Sequence, residues 1–223
     1  SKGKDLRLTL PLTGPNVEVI PPRSTIVGAR FHPGMAPPFQ TVLDDLVDER
    51  VTLRDVWGRS VDRLGEAMAY APGPWAALDL LQDHLVQAFR CAEHLDPLVG
   101  EAARLLMPWP PVEIGALATH LAISASQLRR RCLHRVGVGP KTLQRTLRFQ
   151  GFLALAQAGA TPSGRDGEHG MAGLAVDVGY ADQAHLSREC LRLTGLSPRE
   201  LLGSEIGRCA CGHDHSASYT PFL

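Results

Sequence analysis

A mainly α-helical fold, with helix-turn-helix units in tandem behind a small α+β domain of a short β-sheet and helices, follows from three features of the sequence. One pattern is written twice between Val112 and Leu202. Ser124 and Asp182, Leu128 and Leu186, Arg130 and Arg188, Cys132 and Cys190, Gly137 and Gly195, Pro140 and Pro198, and Leu143 and Leu201 all stand 58 positions apart. Each copy reads as helix, tight turn, second helix, then a Gly- and Pro-bearing turn into a further helix. Up to Phe31 the apolar residues alternate as in strands, and from Phe39 onward they recur at helical spacing.

Taken in order, Leu6, Leu8, Leu10 and Leu12 alternate with polar or neutral residues, which predicts a half-buried strand. Val17 to Ile20 and Thr25 to Phe31 read as two more, separated by Pro21-Pro22. His32-Pro33-Gly34 and Pro37-Pro38 break the chain. Helices are then expected over about Thr41 to Asp48, Val51 to Trp57, Ser60 to Met68, Trp75 to Phe89 and Asp96 to Met107. The stripe Leu78, Leu81, Leu85 and Phe89 suits a core and a homodimer interface equally. Pro108-Trp109-Pro110-Pro111 closes this part as a stiff linker. The expected domains are residues 1–107, the linker 108–111, the helix-turn-helix part 112–204 and a tail 205–223.

In the first copy Ile114, Leu117, Ala118 and Leu121 share one helical face, Ala122-Ile123 turns the chain, and Ser124 is a suitable N-cap. The next helix buries Leu128, Cys132 and Val136 and points Ser126, Arg129 and Arg130 away from the core. In the second copy Leu174, Ala175 and Val178 supply the first helix, Gly179 the turn and Asp182 the cap. Leu186, Cys190 and Leu193 face inward, while Gln183, His185, Ser187 and Arg188 face out. Those outward types suit base edges in a major groove, where Arg pairs with guanine in two bonds and Gln with adenine. Between the copies, a helix from about Pro140 to Gln157 would be roughly 27 Å long, comparable with the roughly 34 Å between successive major-groove faces on one side of a duplex. Residues 160–167 then read as a surface loop.

The formal net charge is zero, yet the charge is divided unequally. Residues 1–111 hold eleven Lys or Arg against fourteen Asp or Glu, and residues 112–203 hold eleven against seven. From Ser124 to Gln157 there are seven basic residues (Arg129, Arg130, Arg131, Arg135, Lys141, Arg145, Arg148) and no acid. That field draws double-stranded DNA to the C-terminal part, with Arg145 and Arg148 as candidate phosphate contacts.

With these motifs in view, residues 112–202 resemble the DNA-binding domain of the AraC/XylS family of bacterial transcription regulators. The specific segment runs from Gly179-Tyr180-Ala181-Asp182-Gln183 to Gly195-Leu196-Ser197-Pro198. The resemblance implies two helix-turn-helix units joined by a long helix, with their second helices in successive major grooves. Carried over by position, it makes Ser126, Arg129, Arg130, Gln183, Ala184, His185, Ser187 and Arg188 the base-reading candidates. Ala184 is small where other members often carry a polar side chain. Val27-Gly28-Ala29-Arg30-Phe31-His32-Pro33-Gly34 and Leu53-Arg54-Asp55-Val56-Trp57-Gly58 are similar to the second half of a regulatory domain found in one branch of the family. There a small barrel-like sheet precedes a helical bundle, which implies that this chain begins inside the sheet. Such domains bind a small-molecule effector, form a homodimer, or both, and RNA polymerase is a further implied partner. His32, Trp57, His84 and His94 are read as packing residues and not as effector ligands.

At 44% hydrophobic and 21% charged, the chain has an ordinary globular composition. It carries no run of transmembrane length and no visible signal peptide, so a cytoplasmic location and no membrane partner are expected. No G-x-S-x-G, P-loop, H-E-x-x-H or dinucleotide fingerprint occurs. DNA-repair methyltransferases with the same DNA-binding domain use reactive cysteines, but Cys132 and Cys190 fall on inward faces, where a thiol is inert. The expectation is therefore a regulator and not an enzyme. Cys209, Cys211, His213 and His215 occupy alternate positions in the tail. One reading makes them ligands of a Zn²⁺ ion and the chain metal-responsive; the other is a polar C-terminal end without a site.

Overall fold

The computed structural model describes residues 6–11, 13–16, 21–37, 43–49, 51–91, 96–107, 112–158 and 170–203. The fold is mainly helical, and among the described residues there is one two-stranded sheet, near the N-terminus. Two compact units divide the chain. The first takes the described residues within Ser1–Pro11, Val17–Glu101 and Ser126–Gly139; the second takes those within Leu12–Asn16, Ala102–Ala125 and Pro140–Leu223. Residues 126–139 thus cluster with the N-terminal part. The expected linker 108–111, the strand at 17–20, the loop at 160–167 and the tail lie outside the described residues.

In the first unit, β1 (Arg7–Leu8) pairs antiparallel with β2 (Val51–Thr52), Arg7 opposite Thr52 and Leu8 opposite Val51. Helix α1 (Leu53–Trp57) starts directly from β2. Thr52 stays extended (φ −87°, ψ 151°), and its hydroxyl oxygen accepts the Asp55 N–H while the Asp55 carboxylate accepts the Thr52 N–H at 2.9 Å. This reciprocal cap explains why Val51 and Thr52 are strand where helical spacing predicted helix. The expected helix at 41–48 is reduced, among its described residues, to a 3₁₀ turn at Asp44–Leu46, after which Asp48 turns to φ +64°.

Helices α2 (Ser60–Tyr70) and α3 (Pro74–Arg90) follow, and Leu64, Leu81 and Leu85 form a buried cluster with Val27, Phe31, Trp57 and Met68 packed against it. Trp57 lies against His84 with ring centroids 5.7 Å apart. The segment Thr25–Phe31 is not a strand. It has no ladder partner among the described residues, Ile26 is 70% exposed, and Val27 and Phe31 rest on helices. Its β-like alternation reflects one side packed on a helical surface. Helix α4 (Pro97–Leu105) ends this part, with the Asp96 carboxylate accepting the Leu98 N–H at 3.1 Å.

The remaining helices are α5 (Ile114–His120), α6 (Ala125–Val136), α7 (Pro140–Ala158), α8 (Gly170–Asp177), α9 (Gln183–Thr194) and α10 (Pro198–Gly203). Helix α6 belongs to the first unit and the others to the second. The second unit's core joins Phe149, Phe152 and Leu155 of α7 to Ala175, Val178, Tyr180, Leu186 and Cys190. The α7 face of this core is apolar, and each side chain buried there contributes on the order of 1.5–3 kcal/mol. No described helix is long and apolar enough to cross a membrane.

Candidate nucleic-acid interface

The turn of the second copy is fixed by its backbone. Gly179 adopts φ +80°, its N–H donates to the Val176 carbonyl, and the Tyr180 N–H reaches back to Ala175. This pair of bonds satisfies the last carbonyls of α8 and stops the helix. Asp182 then caps α9: its backbone is extended and its carboxylate accepts the His185 N–H at 2.6 Å. Leu186 and Cys190 are fully buried, which sets the opposite face of α9 outward.

Gln183, Ala184 and Arg188 are exposed on that face, and His185 and Ser187 are half-buried. The His185 ring turns back edge-on to Tyr180 at 5.2 Å, and its Nδ1 accepts the Ala181 N–H at 3.4 Å. The Ser187 hydroxyl donates to the Gln183 carbonyl at 2.9 Å. Of the five outward residues, Gln183 and Arg188 present long polar side chains and no ion pair among the described residues.

The first copy repeats the motif with one change. Ala122 holds the left-handed position at φ +54°; its N–H donates to Thr119 and the Ile123 N–H to Ala118, both at 3.0 Å. One residue, Ile123, lies between Ala122 and Ser124, which precedes α6, whereas two, Tyr180 and Ala181, lie between Gly179 and Asp182. The second turn is therefore one residue longer. Leu128, Cys132 and Val136 are buried on α6, and Ser126, Arg129 and Arg130 are exposed. Both helices stop at a left-handed glycine, Gly137 at φ +85° and Gly195 at φ +74°, whose N–H bonds the Leu133 and Leu191 carbonyls respectively.

The electrostatics depart from a free basic run. Arg131 Nη1 lies 2.6 Å from Asp96 Oδ2. Arg145 grips Glu189 with two bonds, Nε at 3.0 Å and Nη2 at 2.6 Å, and Arg192 Nε stands 3.7 Å from the same carboxylate. Burial works to raise the Glu189 carboxyl, and the hydrogen bonds and charge of Arg145, then Arg192 and His185, overcome it and hold the group below its ordinary value. The Arg148 guanidinium sits 5.7 Å over the Tyr180 ring. Arg145 and Arg148, expected to face phosphate, are thus engaged inside the second unit.

Sequence reasoning missed Asp96, Arg131 and Glu189 as site-shaping residues. One signal was present: Glu189 is the single acid in α9, and a carboxylate on a helix offered to DNA must be neutralised by something. Burial, with Asp96 and Glu189 respectively adding to it, pushes the thiol of Cys132 up to about 11 and that of Cys190 up to about 12. Neither is poised as a nucleophile at neutral pH. Cys209, Cys211, His213 and His215 lie outside the described residues, and among the described ones no group of three or more His, Cys, Asp or Glu is placed to hold a metal.

Residues 117–204 match a family model described as a helix-turn-helix domain, of the AraC type. No curated protein and no solved structure matches the chain. The match assigns residues 117–204 to the helix-turn-helix domains of DNA-binding transcription regulators. The chain's DNA-binding part is an AraC-like helix-turn-helix domain.

Proposed function

We propose that residues 112–204 read two successive major-groove half-sites of one operator, α6 through Ser126, Arg129 and Arg130, and α9 through Gln183, Ala184, His185, Ser187 and Arg188. The observation that carries this reading is the equivalence of Arg130 and Arg188. Both are exposed, both stand two residues after a fully buried leucine, and neither has an ion-pair partner among the described residues. Helix α7, at 19 residues, is about 28 Å long at about 1.5 Å per residue. That length suits a connector between readers of adjacent grooves. Residues 1–107 act as the regulatory part of a cytoplasmic regulator, taking an effector, a second copy, or both.

Selection of bound duplexes from a random pool supplies the operator. Against it, Arg130→Ala and Arg188→Ala should each weaken specific binding by about 1–3 kcal/mol and relax base preference at one half-site, a different one for each. Affinities for a panel of single-base substitutions check this. Loss spread uniformly over the panel would assign these arginines to phosphate instead.

A further inference from the structure

Arg131 and Glu189 are also 58 positions apart, so they occupy the same place in the two copies, immediately after Arg130 and Arg188. In each copy this residue makes an ion pair with a residue well separated in sequence, and the charges are reversed. Glu189 of α9 takes Arg145 of α7, whereas Arg131 of α6 takes Asp96, outside the segment 117–204. Asp96 is a fixed partner. Its Oδ1 caps α4 through the Leu98 N–H and its side chain is only 15% exposed, leaving Oδ2 for the guanidinium.

A second contact holds the same helix. At Gly137, the end of α6, an added Cβ would lie 3.0 Å from Val47 Cγ2 and 3.1 Å from the Leu43 carbonyl oxygen, so the 43–47 segment closes directly on it. A helix that reads base edges must be held within about 0.5 Å and about 10–20° of its productive setting. For α9 that hold comes from α7, inside the helix-turn-helix domain. For α6 it comes from Asp96 and residues 43–47.

We propose that Asp96 is a specificity-determining positioning residue for the first half-site, so that the N-terminal part of the chain tunes that half-site and leaves the second alone. The proposal rests on the two-half-site reading above.

The test uses the full chain and three duplexes: the selected operator, and versions with the first or the second half-site scrambled. Asp96→Asn keeps a side chain able to cap α4 and removes the charge. Arg131→Gln approaches the same pair from α6 and leaves the cap untouched. Both should lower discrimination at the first half-site roughly three- to tenfold, the modest size reflecting the partial exposure of Arg131, with the second unchanged. Arg131→Lys, which keeps the charge and leaves the cap in place, should retain most of that discrimination. Because the readout is a ratio of affinities, any uniform change in phosphate attraction cancels. Equal loss at both half-sites, or no loss at either, overturns the proposal. A wild-type chain that reads only one half-site instead overturns the two-site reading beneath it.

Discussion

Helices α6 and α9 carry the same buried leucine and cysteine, the same exposed arginine and the same terminal glycine, yet they are supported differently. Around α9 the restraints come from within the helix-turn-helix domain: Arg145 on Glu189, and Tyr180 against His185. Around α6 they come from Asp96 and from Leu43 and Val47. The repeat preserves in both helices a buried stripe and a left-handed glycine stop. What orients each helix is left to the surroundings, and there the two copies have diverged.

The terminal glycines expose this difference most strongly. Alanine at Gly195 would suffer the left-handed backbone alone, since its Cβ would meet nothing nearer than Pro15 Cγ at 3.6 Å. Alanine at Gly137 would suffer the same backbone penalty and also press on Val47 Cγ2 at 3.0 Å and the Leu43 carbonyl oxygen at 3.1 Å, which must give by a few tenths of an ångström. Gly195→Ala should therefore destabilise by about 1 kcal/mol and Gly137→Ala by about 2–3 kcal/mol. Urea denaturation of both variants measures the gap. Equal losses would mean that residues 43–47 give way freely, and the support assigned to α6 would fail with them.

A smaller effect separates the two ion pairs by pH. The folded-state pKa of Glu189 lies below its ordinary 4.5, so its contribution to stability is present above that value and is lost as pH falls through the folded pKa. Glu189→Gln should destabilise by about 1–2 kcal/mol at pH 7, the usual size for a charge-assisted hydrogen bond, with the deficit shrinking as pH falls below the ordinary carboxyl value and through the lowered folded one. Glu200 and Asp55 are also held low by their capping hydrogen bonds to Ser197 and Thr52. They titrate alike in variant and wild type, so the difference between the two curves isolates Glu189. A deficit constant with pH would show that the carboxylate's charge plays no part.

Much of this architecture was legible in the sequence because it is local. The repeated pattern, the cap at Asp182, the buried Leu128 and Leu186 and the stops at Gly137 and Gly195 all act within a few residues of themselves. The ion pairs were not legible, since Asp96 and Arg131 are 35 residues apart and Arg145 and Glu189 are 44 apart. Counting charge along an acid-free run treats every arginine in it as free, and acids supplied from outside the run remove two of them. The strand expected at Thr25–Phe31 failed for a related reason. Alternation records which side chains are covered, and a helical surface covers Val27 and Phe31 as well as a sheet would.

The least expected detail yields the smallest prediction. Ala122 and Gly179 hold the same place in their turns, with φ +54° and +80° and the same pair of backbone bonds behind them. In the left-handed region a Cβ crowds the following carbonyl, at roughly 1–2 kcal/mol. Glycine avoids that crowding but adds freedom to the unfolded chain, which offsets about 0.4–1 kcal/mol. The balance favours Ala122→Gly by about 0.5 kcal/mol, whereas Gly179→Ala should destabilise by about 1 kcal/mol. Chemical denaturation of the two single variants resolves effects of opposite sign even at this size. Because Ala122 lies outside both ion pairs, its replacement should also leave half-site discrimination where it was. If Ala122→Gly destabilises the chain, the first turn draws enough from the alanine methyl to outweigh its backbone strain, and the two turns are less alike than their hydrogen bonds imply.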